Sequence, residues 1–380
     1  MNVSDYSGSL LDSSWPTDRI IADVTAIADK QLAEVAHRID HDGFYPLHIM
    51  ASLGAVGAFG AHLTCGGDRI ALSIDAMRAI SRRCGSTGFM TWCHDVCGLY
   101  MEQSGNPALT GELLREHMMG RSFGGTALSN PMKALAGIEK MSLRAVAVPG
   151  GYRVSGALPW VSHIAPGHHF GAMAGVYRDD GSLSHEIMFL VRCTDQVHLR
   201  QCPEFSGMEG TSTWGVRVDE LFVGDDMLIA DPARPFIARI RAVFVLLQVG
   251  MALGVSQGSI DSMREVEPVL GHVNRFLHDR PNDLEAEYAE LAEQVAMLAQ
   301  TPYDGSKDYF VSVLDARAQG AELALRASQS ALLHQGARGY LSSAAPQRRV
   351  REAHFVAIVT PAIKHLRWEM DRLSREEMPV

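Results

Sequence analysis

The chain has no excess of basic residues: its 380 residues hold 34 Lys and Arg against 44 Asp and Glu, a formal net charge of −10. That balance argues against a broad nucleic-acid-binding face, which needs cations to neutralise phosphates. Cysteine is sparse. Cys65, Cys84, Cys93, Cys97, Cys193 and Cys202 follow no disulfide-framework spacing, and a chain this long needs none. Cys93-His94-x-x-Cys97 places two thiols at i, i+4 on an expected helix. Zinc would need two further ligands and no second Cys/His pair is evident, so these read as buried free thiols and no metal site is expected. No apolar run reaches the length expected of a membrane-spanning helix. The opening MNVSDYSGSLLDSSW lacks the basic start and apolar core of a signal peptide. The expectation is a cytoplasmic protein with neither membrane nor nucleic acid as partner. What is present is ordinary for a globular chain: 47% hydrophobic and 21% charged residues, enough for layers around large cores.

Periodicity divides the chain into three: an N-terminal helical domain (1–120), a middle β domain (121–228) and a C-terminal four-helix bundle (229–380). In the first, Thr17 or Asp18 caps a helix carrying Ile20, Val24, Ile27 and Ala28 inward, Gly66-Gly67 marks a turn, and a pattern from Ala71 to Gln103 breaks near Gly85. In the second, VAVPGGYRV (146–154) is a hairpin signal, EIMFLVRC (186–193) a buried strand, and WGVRVDELFV (214–223) alternates. In the third, the low-charge run within 236–264 predicts a helix buried on most sides, followed by helices over 283–300, 308–335 and 347–377, with 270–283 as an irregular linker.

Helices, then strands, then a four-helix bundle resembles the acyl-CoA dehydrogenase superfamily, an α+β multidomain fold with a barrel-like middle domain. Local stretches carry the resemblance. GGTALSNP (124–131) is similar to the family's strand ending in Thr-Glu-Pro. GGYRVSGALPWVSH (150–163) resembles the next hairpin, with Trp160 and Ser162 where the family faces its flavin. GMEGTSTWGVRVDELFVGDDMLI (207–229) resembles the Gly-x-x-x-Thr/Ser stretch and the strand after it. GARGYL (336–341) and REA (351–353) resemble the Gly-rich turn and the start of the last helix. The resemblance implies FAD or FMN as cofactor. Leu128 and Ser129 would meet one ring edge, Trp160 the ring, and Ser162 would approach N5. Gly336, Ala337, Arg338 and Gly339 would cradle a diphosphate or adenosine arm. In the family that turn serves the neighbouring subunit, so the resemblance also implies a homo-oligomer, dimer or tetramer.

The family's catalytic carboxylate has no counterpart. Counting from Arg351, its position holds Thr360, followed by Pro361. The alternative position on the first bundle helix aligns with Phe244. MKALAGIEK (132–140) stands where thioester-using members have Gly-Ser-Asp, and Leu333 stands where a glutamine is expected. A related branch of flavin monooxygenases keeps the fold without the carboxylate and uses reduced flavin and O2, supplied by a separate flavin reductase. That chemistry calls for a dry pocket with donors and histidines, and His94, His163 and His365 are the candidates beside Thr360. Thr360-Pro361 also reads as a helix restart capped by Thr360. The leading expectation is an oxygenating flavoenzyme for a small organic substrate. The first alternative is an acyl-CoA or acyl-carrier dehydrogenase with a displaced base, Glu204 or Glu209. The second is a non-catalytic relative.

Overall fold

The computed structural model describes residues 17–64, 69–178 and 180–375, with side chains from Arg19 onward. Cys65, the Gly66-Gly67 turn and the side chains of Thr17 and Asp18 lie outside the described residues.

The N-terminal apolar stripe runs at Ile20, Val24, Ile27, Ala28, Leu32, Ala36 and Ile39, all on the buried face. A π turn, Ala28–Leu32, joins α1 (Thr17–Ile27) to α2 (Ala33–His41). Next come α3 (Leu47–Ala55), α4 (Ile70–Arg83) and α5 (Gly85–Ser104), the last two broken at an extended Cys84, close to the expected Gly85. Two short helices, α6 (Pro107–Thr110) and α7 (Glu112–Met118), complete the helical part. Every residue of α5 from Gly85 to Met101 is buried, so its polar side chains must find partners inside the protein.

The strands are β1 (Gly124–Thr126), β2 (Leu143–Val148), β3 (Gly151–Val161), β4 (His169–Tyr177), β5 (Leu183–Arg192), β6 (Val197–Gln201), β7 (Trp214–Gly224) and β8 (Leu228–Ala230). They form one sheet in the order β6-β7-β3-β2-β4-β5-β8, with β1 parallel to β4. The expected hairpin is β2–β3, closing at Val148 opposite Gly151. The strand expected to end at Leu128-Ser129 stops at Thr126, and Ser129 instead begins a short helix, α8 (Ser129–Leu135).

The remaining helices are α9 (Ala233–Leu247), α10 (Val249–Asn274), α11 (Pro281–Leu298), α12 (Lys307–Gln335), α13 (Ala345–Ile358) and α14 (Ile363–Arg375). Two expected single helices are each divided: the one over 236–264 bends at Gln248, and the last is cut at 359–362. The linker expected over 270–283 is shorter, since α10 continues to Asn274 and α11 begins at Pro281. The α9–α10 run does have the length and composition of a membrane span, contrary to the sequence-based expectation. However, 83% of its most apolar window is buried inside the protein, as in a core helix.

Glycine spacing lets α10 lie directly on α4. A Cβ at Gly250, Gly254 or Gly258 would stand 2.8, 2.5 or 2.5 Å from the carbonyl oxygens of Ile74, Arg78 and Arg82 respectively. The step of four on both helices makes one continuous seam. This seam binds the bundle to the N-terminal helices, and α5 is left between them and the sheet.

Candidate functional site

Three segments converge near the end of β1. Thr126 pairs with Ser162 in an antiparallel bridge, which brings the end of β3 beside the β1–α8 joint. The Thr126 hydroxyl meets the Tyr100 hydroxyl at 2.9 Å, and the Leu128 N–H donates to Thr126 Oγ1 at 3.4 Å. Ser129 Oγ and Thr360 Oγ1 lie 2.9 Å apart, so the link between α13 and α14 joins the same place. Leu128, Ser129, Ser162 and Thr360 are therefore brought together. Ser162 Oγ continues into a hydroxyl row, 2.7 Å from Thr213 Oγ1, which is 2.8 Å from Thr211 Oγ1. Trp160, two residues before Ser162, is 49% exposed and stands edge-on to Phe205, so it is not a core residue of the sheet.

Pro361 does restart the helix, but Thr360 does not cap it. Ala362 accepts the first N–H bonds of α14, from His365 and Leu366. The Thr360 carbonyl accepts from Gln248 Nε2 at 2.9 Å, and Gln248 Oε1 accepts from Arg317 Nε at 2.8 Å. Arg317 also donates to the Val356 carbonyl in the last turn of α13. Its guanidinium is fully buried, and burial lowers its pKa to about 10.

Beyond Pro361 opens a cavity of about 320 Å³ between α8, α9, α12 and α14. Leu135, Ile237, Val245 and Leu314 give it an apolar wall; Arg234, Arg241, Arg372, His365 and Glu369 supply its polar groups. Burial holds His365 below the ordinary imidazole value, against a smaller raising effect of Glu369. Among the described residues Glu369 is the one acid lining the cavity. It accepts two hydrogen bonds from Arg372, at 3.0 and 2.7 Å. Its place outside the recognisable motifs hid it from the sequence reading. Glu204 is exposed, and Glu209 accepts the Phe205 N–H within its own loop; neither lines this cavity. Phe244 is core: Trp92 packs on its ring and donates to its carbonyl at 3.1 Å.

His94 and His163 do not join His365 at this cavity. They belong to a separate, sealed cluster. His94 stacks on His117 with ring centroids 3.6 Å apart, and each Nε2–H donates to the other's backbone carbonyl, at 2.9 and 2.8 Å. His163 stands edge-on to His94 at 5.6 Å and meets the Tyr45 hydroxyl through Nδ1 at 3.0 Å. Its backbone is left-handed, φ 61, and its buried Nε2 has no partner. His168 lies within ring contact of His163 and Phe123. Burial is the first cause in every case. It holds His94 and His163 well below the usual imidazole value, aided by neighbouring imidazoles, and lowers His117 to about 3. This cluster is built of neutral rings. His117 and His168 carry no motif, so their part in it could not be read from the sequence.

The Gly336–Gly339 turn is not brought to the site within one chain. Gly336 follows Arg317 by nineteen residue steps, roughly 28 Å along α12. Gly336, Ala337 and Arg338 are exposed and Gly339 is buried.

Residues 17–121 match the family model for the acyl-CoA dehydrogenase N-terminal domain. Over 361 residues the chain is 22% identical to the probable acyl-CoA dehydrogenase YngJ of Bacillus subtilis (strain 168), covering 88% of this chain and 91% of that protein. The chain is thus similar to acyl-CoA dehydrogenases, in its N-terminal domain and, at low identity, over most of its length. The fold agrees across its length. Butyryl-CoA dehydrogenase from Megasphaera elsdenii superposes with a TM-score of 0.82 at 16% identity, covering 97% of this chain and all of the other. Dibenzothiophene monooxygenase from Paenibacillus sp. A11-2 superposes with a TM-score of 0.78 at 15% identity, covering 95% and 98%. The acyl-CoA dehydrogenase fold is thus the observed architecture: helical N-terminal part, mixed sheet, helical C-terminal part.

A flavin fits the residues at the convergence point. A flat ring with polar edges wants an aromatic or apolar wall and several donors. Trp160 offers an indole half open to solvent, and Ser129, Thr360, Ser162 and Thr213 supply hydroxyls from four separate segments.

Proposed function

We propose that the protein is a flavin-dependent oxidoreductase that uses reduced flavin and O2 to oxygenate a small organic substrate. The observation that carries this reading is Thr360. Counted from Arg351, the family's carboxylate position falls on Thr360, a hydroxyl bonded to Ser129 whose neighbour Pro361 lines the cavity. Threonine does not take up a substrate proton at neutral pH, so removal of an α-proton has no agent there. The likeness to a dibenzothiophene monooxygenase supports the reading at the level of fold.

When bound, flavin supplies the redox chemistry with O2. Leu128, Ser129, Trp160 and Ser162 would hold the ring, FAD or FMN. The Gly336–Gly339 turn would serve a second copy of the chain, giving a dimer or tetramer, and a separate reductase would deliver reduced flavin. His365, held neutral by its burial, is a hydrogen-bond partner on the cavity wall. The apolar lining restricts water. His94 and His163 lie in the sealed cluster, and in this reading they brace the N-terminal helices against the sheet rather than touch substrate. The cytoplasm is the proposed compartment.

One observation favours a second reading. Glu369 lines the cavity, and as a displaced base it would permit acyl thioester dehydrogenation. Two assays separate the readings. With a flavin reductase, NADH and 18O2, the oxygenase incorporates one labelled atom into product. Mixed anaerobically with acyl thioesters of varied chain length, the flavin-loaded protein keeps its oxidised spectrum. Bleaching that is abolished in Glu369→Gln would establish the dehydrogenase instead.

A further inference from the structure

The charged groups on the wall of the cavity between α8, α9, α12 and α14 are already partnered. Arg234 donates two hydrogen bonds to Glu186, at 2.9 and 2.5 Å, and Arg372 donates two to Glu369, at 3.0 and 2.7 Å. Arg241 lies over the Phe310 ring, 3.9 Å from its centre. A charged ligand would therefore give up its hydration here without gaining a free counter-ion.

His365 differs from these groups. It lines the cavity four residues after Pro361. Its Nδ1 is buried without a partner, and among the described residues no hydrogen bond uses its Nε2. The tautomer protonated on Nε2 leaves Nδ1 as a bare lone pair, which a protein interior tolerates better than an orphaned N–H. With Nδ1 closed off, the open edge of the ring carries Nε2. Burial keeps the imidazole neutral. His365 thus offers the cavity one N–H and no charge. The rest of the wall is chiefly apolar; Phe310 adds an aromatic ring to it, and Met132 a thioether that packs well against one.

We propose that this cavity binds an uncharged aromatic compound with one acceptor oxygen, which takes a hydrogen bond from Nε2–H of His365. The volume of about 320 Å³ suits a compact body of one or two rings. That this ligand is the substrate rests on the flavin reading above; the binding itself does not.

Calorimetric titration of the full-length protein without flavin tests the proposal. The probes are acetophenone and 2-acetylnaphthalene, each against two compounds of the same shape: the carboxylate (benzoate, 2-naphthoate) and the isopropenyl hydrocarbon. At least one ketone is expected to bind about tenfold or more tighter than its carboxylate. His365→Phe keeps a ring and removes the N–H, and it should weaken ketone binding about tenfold relative to the hydrocarbon. If that variant does not fold, Leu314→Trp keeps the imidazole and fills the cavity, and it should weaken ketone binding about tenfold or more. A carboxylate binding as tightly as its ketone, a ketone-to-hydrocarbon ratio unchanged in His365→Phe, ketone affinity unchanged in Leu314→Trp, or no binding of any probe overturns the proposal. Ketone binding that passes these tests in a protein with no flavin affinity would leave the ligand assignment standing and remove the flavin reading.

Discussion

The protein is expected to unfold on mild acidification, with its melting temperature falling steeply below about pH 6.5. His62, His94, His117 and His163 are all fully or almost fully buried, and each has its pKa depressed in the fold, His62 to about 4 and His117 to about 3. In the unfolded chain they titrate near the ordinary value, so below it the unfolded state binds more protons. Stability present above about pH 6.5 is therefore lost as pH falls towards the folded values, at about 1.4 kcal/mol per unit for each group. At about pH 5 His62 and His117 amount to roughly 4 kcal/mol, and His94 and His163 add in the same direction. Asp95 acts in the opposite sense. Burial holds its carboxyl well above the ordinary range and both oxygens lack partners, so acidification relieves part of the loss. The share of His62 and His117 is already a large part of the stability of an ordinary domain. Circular dichroism melts between about pH 7.5 and 4.5 check this. A melting temperature that is flat down to about pH 5 would show that the imidazoles are not held neutral by the fold.

Glu352→Ala should destabilise the protein by about 4 kcal/mol. The Glu352 carboxylate is buried on α13. It accepts from the Gly85 N–H at 2.9 Å, where α4 breaks into α5, and from Arg348 Nε at 3.1 Å. Truncation leaves a buried guanidinium and a buried amide without their acceptor, which is the expensive way to break such a pair. Glu352→Gln retains one acceptor and should lose about half as much. Chemical denaturation midpoints measure both. Glu352→Gln as stable as the unsubstituted protein, with the loss confined to Glu352→Ala, would mean that the carboxylate serves packing and not charge.

Much of the fold was legible where local chemistry and global packing agree. Pro149-Gly150-Gly151 announced the β2–β3 hairpin, and the charge-poor run after Phe236 announced a buried helix. The divisions inside helices were less visible. The joint at Gln248 carries no proline or glycine; it follows from the side chain's bond to Thr360, more than a hundred residues away. The helix α8 was missed because seven residues offer no full period to read. At the site, the motif order placed Ser129, Ser162 and Thr360 together, as the structure does. It also grouped His94 and His163 with His365, because adjacency to a motif does not fix which way a side chain points. Glu369 and the Gln248–Arg317 pair come from separate segments and carry no motif. One sign was available: Phe310, Leu314, Arg317, Ala321 and Ala324 form an apolar helical stripe with a cation in it.

The central claim is that the meeting point of β1, β3 and the α13–α14 link holds a flavin. Equilibrium titration of the protein with FAD and FMN, each oxidised and, under anaerobic conditions, reduced, tests it most directly. Saturable binding of at least one form is predicted, weakened at least tenfold by Ser162→Trp, which would block the ring's edge. No affinity for either flavin in either redox state would contradict the account.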